Sequence, residues 1–119
     1  MATQTFRQLL VWQKAHESVF AVYKYTNSFP KTELYALTSQ LKSAAVSIAA
    51  NIVEGYKKRG KADKARLMNI AQGSIEECQY YLVLANDLGY GESSHLVNIL
   101  DEVSKMLQSY ISKILSSNS

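Results

Sequence analysis

Six cations fall within ten positions of this sequence: Lys57, Lys58, Arg59, Lys61, Lys64 and Arg66, offset by Asp63 alone. The chain carries 13 lysines and arginines, so nearly half of its positive side chains share one short stretch. Cations at this density attract phosphates, and affinity of that kind is electrostatic and weakens as salt rises. The competing reading is an ordinary solvated turn, its cations favoured by the negative end of a helix. Tyr56, beside the cluster, is placed either to stack on a base or to pack at the helix end.

A second group consists of Asn51, Glu54 and Gly55, with Gln40, Ser43 and Ser47 aligned above them at helical spacing. An enzyme would pair Glu54 with Glu77 as acid and base. A structural account uses the same residues as a polar network that sets helix register and subunit contact. Neither a nucleophile nor an oxyanion site accompanies the two carboxylates, so no catalytic residue is assigned. His16 and His95 are isolated, and a metal needs further ligands at suitable spacing. Cys78 lies on an apolar seam and reads as a buried thiol. The glycines are scattered singly, which excludes a phosphate-binding glycine loop. No metal and no cofactor is expected.

These residues need helices to position them. Trp12, Ala15, Val19, Val22 and Tyr23 recur at helical steps, and Pro30 restricts Phe29 to extended geometry. A first helix is therefore predicted over 11–28 and a second over 33–59. The stripe of the second is Leu34, Leu37, Leu41, Ala44, Ala45, Ile48, Ile52 and Tyr56. Gly55 inside it costs about 1 kcal/mol relative to alanine unless close packing offsets the loss, and Gly60 is read as its stop. The third helix is predicted over 63–88, with a near-heptad seam through Leu67, Ala71, Ser74, Cys78, Tyr81, Ala85 and Leu88. Gly73-Ser74 in its middle suggests a close crossing. Gly89 is its expected cap, and Ser93 or Ser94 is available to cap a fourth helix over 94–115. Four helices with short connections pack most simply as an antiparallel up-and-down bundle.

The second helix lacks an ordinary solvated side. Between Leu34 and Val53 the sole ionised side chain is Lys42, and the face opposite the stripe reads Gln40, Ser43, Ser47, Ala50 and Asn51. A helix without a charged face is buried on both sides, and a chain of 119 residues has few helices to cover it. The inferred cover is another copy of the chain. Gln40, Ser43, Ser47, Ala50, Asn51 and Glu54 are its expected contact residues.

One domain over 1–119 follows from the length. A hydrophobic fraction of 47% with 19% charged residues and one proline suits a folded all-helical protein and argues against a many-turned β fold. A single cysteine fits a reducing cytoplasmic setting. The opening residues lack the apolar core of a signal peptide, and no run reaches the ~18 apolar residues of a membrane span. A net charge of +3 is too small to argue for nucleic acid by itself.

Several segments together carry a family resemblance. They are Phe6, Leu9, Trp12 and Ala15; Phe29-Pro30 followed by Glu33, Tyr35 and Leu37; Gln40 leading into the run from Ser43 to Gly55; and Ile70-Ala71 with Gly73-Ser74-Ile75-Glu76-Glu77. With these, the chain resembles the bacterial four-helix-bundle proteins called the 23S ribosomal RNA intervening-sequence family. It departs from the family pattern at Lys42-Ser43, where arginines are usual, and at Val53, where alanine is usual. The resemblance implies an antiparallel bundle assembled into a homo-oligomeric ring, typically a homopentamer, and a role connected with RNA. A related branch serves as accessory subunit of reverse transcriptases in diversity-generating retroelements. The preferred expectation is a non-catalytic oligomeric module that binds structured RNA or a ribonucleoprotein through a basic rim. The alternative is a protein-interaction scaffold or accessory subunit.

Overall fold

A computed structural model describes residues 5–117, and these form an all-helical rod of 50 × 22 × 21 Å with no strand. After a 3-10 turn at Phe6–Gln8, helix α1 spans Leu10–Thr26, α2 Leu37–Lys57, α3 Lys61–Asp87 and α4 Ser94–Ser116. Consecutive helices pack side by side, and α1 also packs on α4, closing a square four-helix bundle in up-down-up-down order. Its centre is filled by Val22, Leu41, Ile48, Ile52, Met68, Ile75, Leu82, Leu100, Val103 and Leu107, all fully buried. Buried hydroxyls stay on their own helices, with Ser18 donating to Ala15 O at 2.6 Å and Thr26 to Val22 O at 3.0 Å.

The second helix is shorter than its apolar stripe predicts, with 21 residues starting at Leu37 where 33 was expected. Pro30 opens a single 3-10 turn over Lys31–Glu33, and Ala36 breaks the path with φ −125° and ψ −107°. Glu33 then acts from outside the helix. One carboxylate oxygen accepts from the Leu37 amide at 3.3 Å and the other from the Tyr90 hydroxyl at 2.7 Å. Glu33 thus sets an acid at the start of α2, capping it from the preceding turn. Leu34, placed on the core stripe by its spacing, is 49% exposed as a result.

The α2–α3 connection is also tighter than expected. Lys58 is extended (φ −69°, ψ 143°), which ends α2, and Gly60 has φ −76°, so it is not a left-handed stop. It is the residue from which α3 begins, two positions early. At the other end of α3, Gly89 adopts φ +79° as predicted for a cap. The Gly89 amide donates to Asn86 O at 3.0 Å and the Tyr90 amide to Ala85 O at 2.9 Å, a Schellman arrangement. Neither Ser93 nor Ser94 caps α4 through its hydroxyl. The Glu92 carboxylate does so, accepting from the Ser94 amide at 2.6 Å and from the Ser94 hydroxyl.

Those bonds hold the Glu92 carboxyl below its ordinary value of 4.5, the hydroxyl first and the amide second. A depressed carboxyl pKa gives stability that is present above the ordinary value and lost as pH falls through the folded-state value. Thermal melts at stepped pH should therefore show wild type above Glu92→Ala at pH 6, with the gap closing below pH 4.5. A gap that is constant down to pH 3 would contradict a charge-assisted cap.

Candidate nucleic-acid interface

The six clustered cations do different jobs. Lys64 turns inward at the end of α2, donating to Gly55 O at 3.1 Å and Tyr56 O at 2.6 Å, with its ammonium 5.4 Å from the Tyr56 ring centre. The last carbonyls of a helix lack intrahelical partners, so this lysine satisfies them, and its burial lowers its pKa. Lys61 donates to Ser117 O at the end of α4 in the same way. Arg66 pairs with Asp63 one turn back at 3.5 Å. No ion pair engages Lys57, Lys58 or Arg59 among the described residues. Lys57 and Arg59 are exposed and Lys58 is half-buried.

The bundle adds cations that lie far away in sequence. An up-down-up-down path brings the start of α1 and the end of α4 to the α2–α3 turn, so Arg7 and Lys113 join the cluster. This end then holds eight of the 13 basic residues, with Glu54 and Asp63 as its acids. A cleft of about 310 Å³ opens there between Arg59, Lys61, Lys64, Tyr110 and Lys113. Lys113 carries no local signal in sequence. Helix topology alone would have revealed it.

The far end is neutral to acidic, with Glu33, Asp87 and Glu92 against Lys24 and Lys31. The Tyr25 hydroxyl donates to Gly91 O at 2.9 Å, Tyr90 to Glu33, and the rings of Tyr25, Phe29 and Tyr90 pack in series at 5.1 and 5.2 Å. These contacts tie the α1–α2 connection to the α3–α4 turn.

The polar residues of α2 divide into two sets. Ser47 meets Ser74 of α3 at 2.9 Å, and the Asn51 side-chain amide donates to Ser47 O at 2.8 Å and Ser47 Oγ at 3.0 Å. Tyr81 donates to Gln40 at 3.4 Å and to Glu77 at 3.3 Å. These pairs set the α2–α3 register, which places Glu54 level with Leu67. Glu77 is ten residues further along α3, about 15 Å away at ~1.5 Å per residue. The two carboxylates are not brought together, and the acid–base pair fails on geometry. Gln40, Ser43, Ala50 and Glu54 remain on the exposed side.

The one charge on the central part of α2 is withdrawn from that side, since the Lys42 ammonium lies 4.5 Å over the Tyr23 ring of α1. What remains is an uncharged ridge of Ser39, Gln40, Ser43, Val46 and Ala50. The neighbouring helices also expose apolar groups: Tyr23 and Phe20 (66% exposed, lining the α1–α4 groove) on α1, and Ile70 and Tyr80 (61%) on α3.

Gly55 explains the closeness of α2 and α3. A Cβ there would lie 2.7 Å from Met68 Cε and 3.2 Å from Leu67 Cβ. Gly55→Leu should lower stability by about 1–3 kcal/mol through overpacking, read as a lower denaturant midpoint. An unchanged midpoint would mean that the helices do not approach so closely. Gly73 differs, because nothing lies within 4 Å of its would-be Cβ. The close crossing expected at Gly73-Ser74 is made by Ser74 alone.

The remaining chemical candidates stay inert. His16 is exposed and stacked on Trp12 at 4.7 Å, with Phe20 on its other side at 4.9 Å. Among the described residues no group of three or more His, Cys, Asp or Glu could hold a metal, and no helix is long and apolar enough to cross a membrane. Cys78 is fully buried, and burial pushes its thiol up to about 12, far from a nucleophile's range.

No curated protein matches the chain. Among solved structures, it resembles a protein of unknown function from the S23 ribosomal protein family of Bacteroides thetaiotaomicron. The two are 26% identical with a TM-score of 0.77, over 86% of this chain and 98% of that one. The family model for 23S rRNA-intervening sequence proteins matches residues 7–109. The chain thus belongs to the 23S rRNA-intervening sequence protein family.

Proposed function

We propose that the protein is a non-catalytic cytoplasmic module that assembles with copies of itself and binds structured RNA, or a ribonucleoprotein, through its basic end. The observation that carries this reading is the charge asymmetry. Eight cations crowd one end of the rod, and among the described residues no ion pair engages Lys57, Lys58 or Arg59. A field of that kind raises the local concentration of polyanions and speeds their encounter. The uncharged ridge of α2 supports self-assembly, and a ring, such as a pentamer, with its subunits pointing the same way would repeat the basic end around one rim. Many weak phosphate contacts then act together.

The test is a titration of the protein into a labelled, structured RNA at low salt. Saturable binding supports the reading. A folded oligomer that leaves the RNA free at about 100 μM protein, where non-specific nucleic-acid affinities are already felt, defeats it. The exposed rings of Phe20 and Tyr80 also favour a second reading, a scaffold or accessory subunit for a protein such as a reverse transcriptase. A reverse transcriptase gene beside this one would favour that alternative, and a position inside a ribosomal RNA locus would favour the first.

A further inference from the structure

The cleft at the basic end differs in chemistry from the rim around it. Four cations line it: Arg59 from the turn, Lys61 and Lys64 from the first turn of α3, and Lys113 from the last turns of α4. Among the described residues no carboxylate lines it. Lys61 and Lys64 spend part of their donor capacity on the carbonyls that end α4 and α2. Those bonds fix the two ammonium groups in place, while among the described residues no ion pair engages the guanidinium of Arg59 or the ammonium of Lys113. Tyr110 forms part of the wall, and burial raises its pKa, so its hydroxyl keeps a proton to donate. At about 310 Å³ the cleft sits at the small end of the ~300–1,000 Å³ usual for ligand sites.

We infer that this cleft is a phosphomonoester site, in which Arg59, Lys61, Lys113 and the Tyr110 hydroxyl bind a terminal, dianionic phosphoryl group. A phosphomonoester carries a charge of about −1.5 to −2 at neutral pH and three strong acceptor oxygens. That matches several convergent donors, and the planar guanidinium adds a two-point contact. A phosphodiester inside a strand offers one charge and continues in both directions. It suits Lys57 and Lys58, which lie outside the cleft. The phosphoryl group can belong to the 5′ end of an RNA or to a free mononucleotide. The inference rests on the polyanion reading for its biological setting, while the site's chemistry stands apart from it.

The experiment uses the intact protein and one short single-stranded RNA carrying either a 5′-phosphate or a 5′-hydroxyl. Adenosine 5′-monophosphate is tested alongside, with adenosine as control. Wild type is compared with Arg59→Gln and Lys113→Gln, and with a Lys57→Gln/Lys58→Gln variant of the rim. All four positions lie outside the core, so folded variants are expected, and circular dichroism checks this. The expected result is at least about tenfold tighter binding of the 5′-phosphorylated RNA, the scale of one or two charge-assisted contacts. That preference should vanish in both cleft variants and persist in the rim variant. Preference for the monophosphate without RNA binding would support the cleft with a free nucleotide as its source, and would defeat the RNA reading. Tight but equal binding of the two RNAs, with adenosine monophosphate no better than adenosine, would overturn the cleft and leave the RNA reading standing. A preference that survives Lys113→Gln and Arg59→Gln would overturn it as well.

Discussion

Replacing Lys57, Lys58 and Arg59 together by glutamate is expected to weaken binding to structured RNA on the order of 100-fold or more at low salt. Among the described residues none of the three side chains is held in an ion pair. Lys61 and Lys64 hold helix-terminal carbonyls, and Arg66 is paired with Asp63. The reversal therefore removes phosphate contacts without removing the lysines that close α2 and α4, and the variant should melt close to wild type. Each subunit loses three positive charges and gains three negative ones, so repulsion adds to the lost contacts. The companion substitution Lys64→Glu should behave differently. It leaves the Gly55 and Tyr56 carbonyls without their cation and sets a carboxylate against them, which costs folding stability first. Equal RNA affinity in the triple variant and wild type, by fluorescence anisotropy, would take phosphate binding away from this end.

Ala50→Arg is expected to break the assembly while leaving each subunit folded. Ala50 is exposed on the uncharged ridge of α2, so the substitution buries nothing within the chain. In an assembled state the same position would receive an unpaired charge within a close helix contact, at a cost of about 3–5 kcal/mol. That corresponds to association weaker by a factor of on the order of 100–4,000. Light scattering should report a mass shift toward monomer with unchanged helical circular dichroism. Ser47 is a poorer site for this test. Its hydroxyl is engaged with Ser74 and Asn51, and an arginine there would disturb the chain itself. A variant with the wild-type mass would mean that the α2 ridge is not the contact.

The core was readable from periodicity where burial and helical spacing agree, at Leu41, Ile48, Ile52, Ala71, Cys78 and Ala85, whereas the predicted α3 seam left out Ile75, which is fully buried, and included Leu88, which is 49% exposed. The ends of the helices were less readable. Leu34 continues the α2 stripe by spacing alone, yet Pro30 commits the chain to a separate turn and Glu33 caps the helix from there. Gly60 looks like a stop by position, but its backbone angles start the next helix. The distance between Glu54 and Glu77 was available in principle. A hairpin turning near Gly60 pairs Ser47 with Ser74 and separates the two carboxylates by about three turns. What local pattern could not show is which helix ends converge. That fact assigns Lys61 and Lys64 to carbonyls and brings Lys113 to the cleft.

The central claim is that assembly turns one basic end into a multivalent rim. Its most direct test is the salt dependence of RNA affinity for wild type beside the Ala50→Arg variant. The logarithm of affinity falls with the logarithm of salt in proportion to the phosphates neutralised, with a slope of roughly −0.7 to −0.9 per contact. Wild type is expected to show a steep slope, since several subunits engage one RNA, and the dissociated variant a shallow slope with weak binding. Identical slopes in the two proteins, or affinity indifferent to salt, would contradict the account.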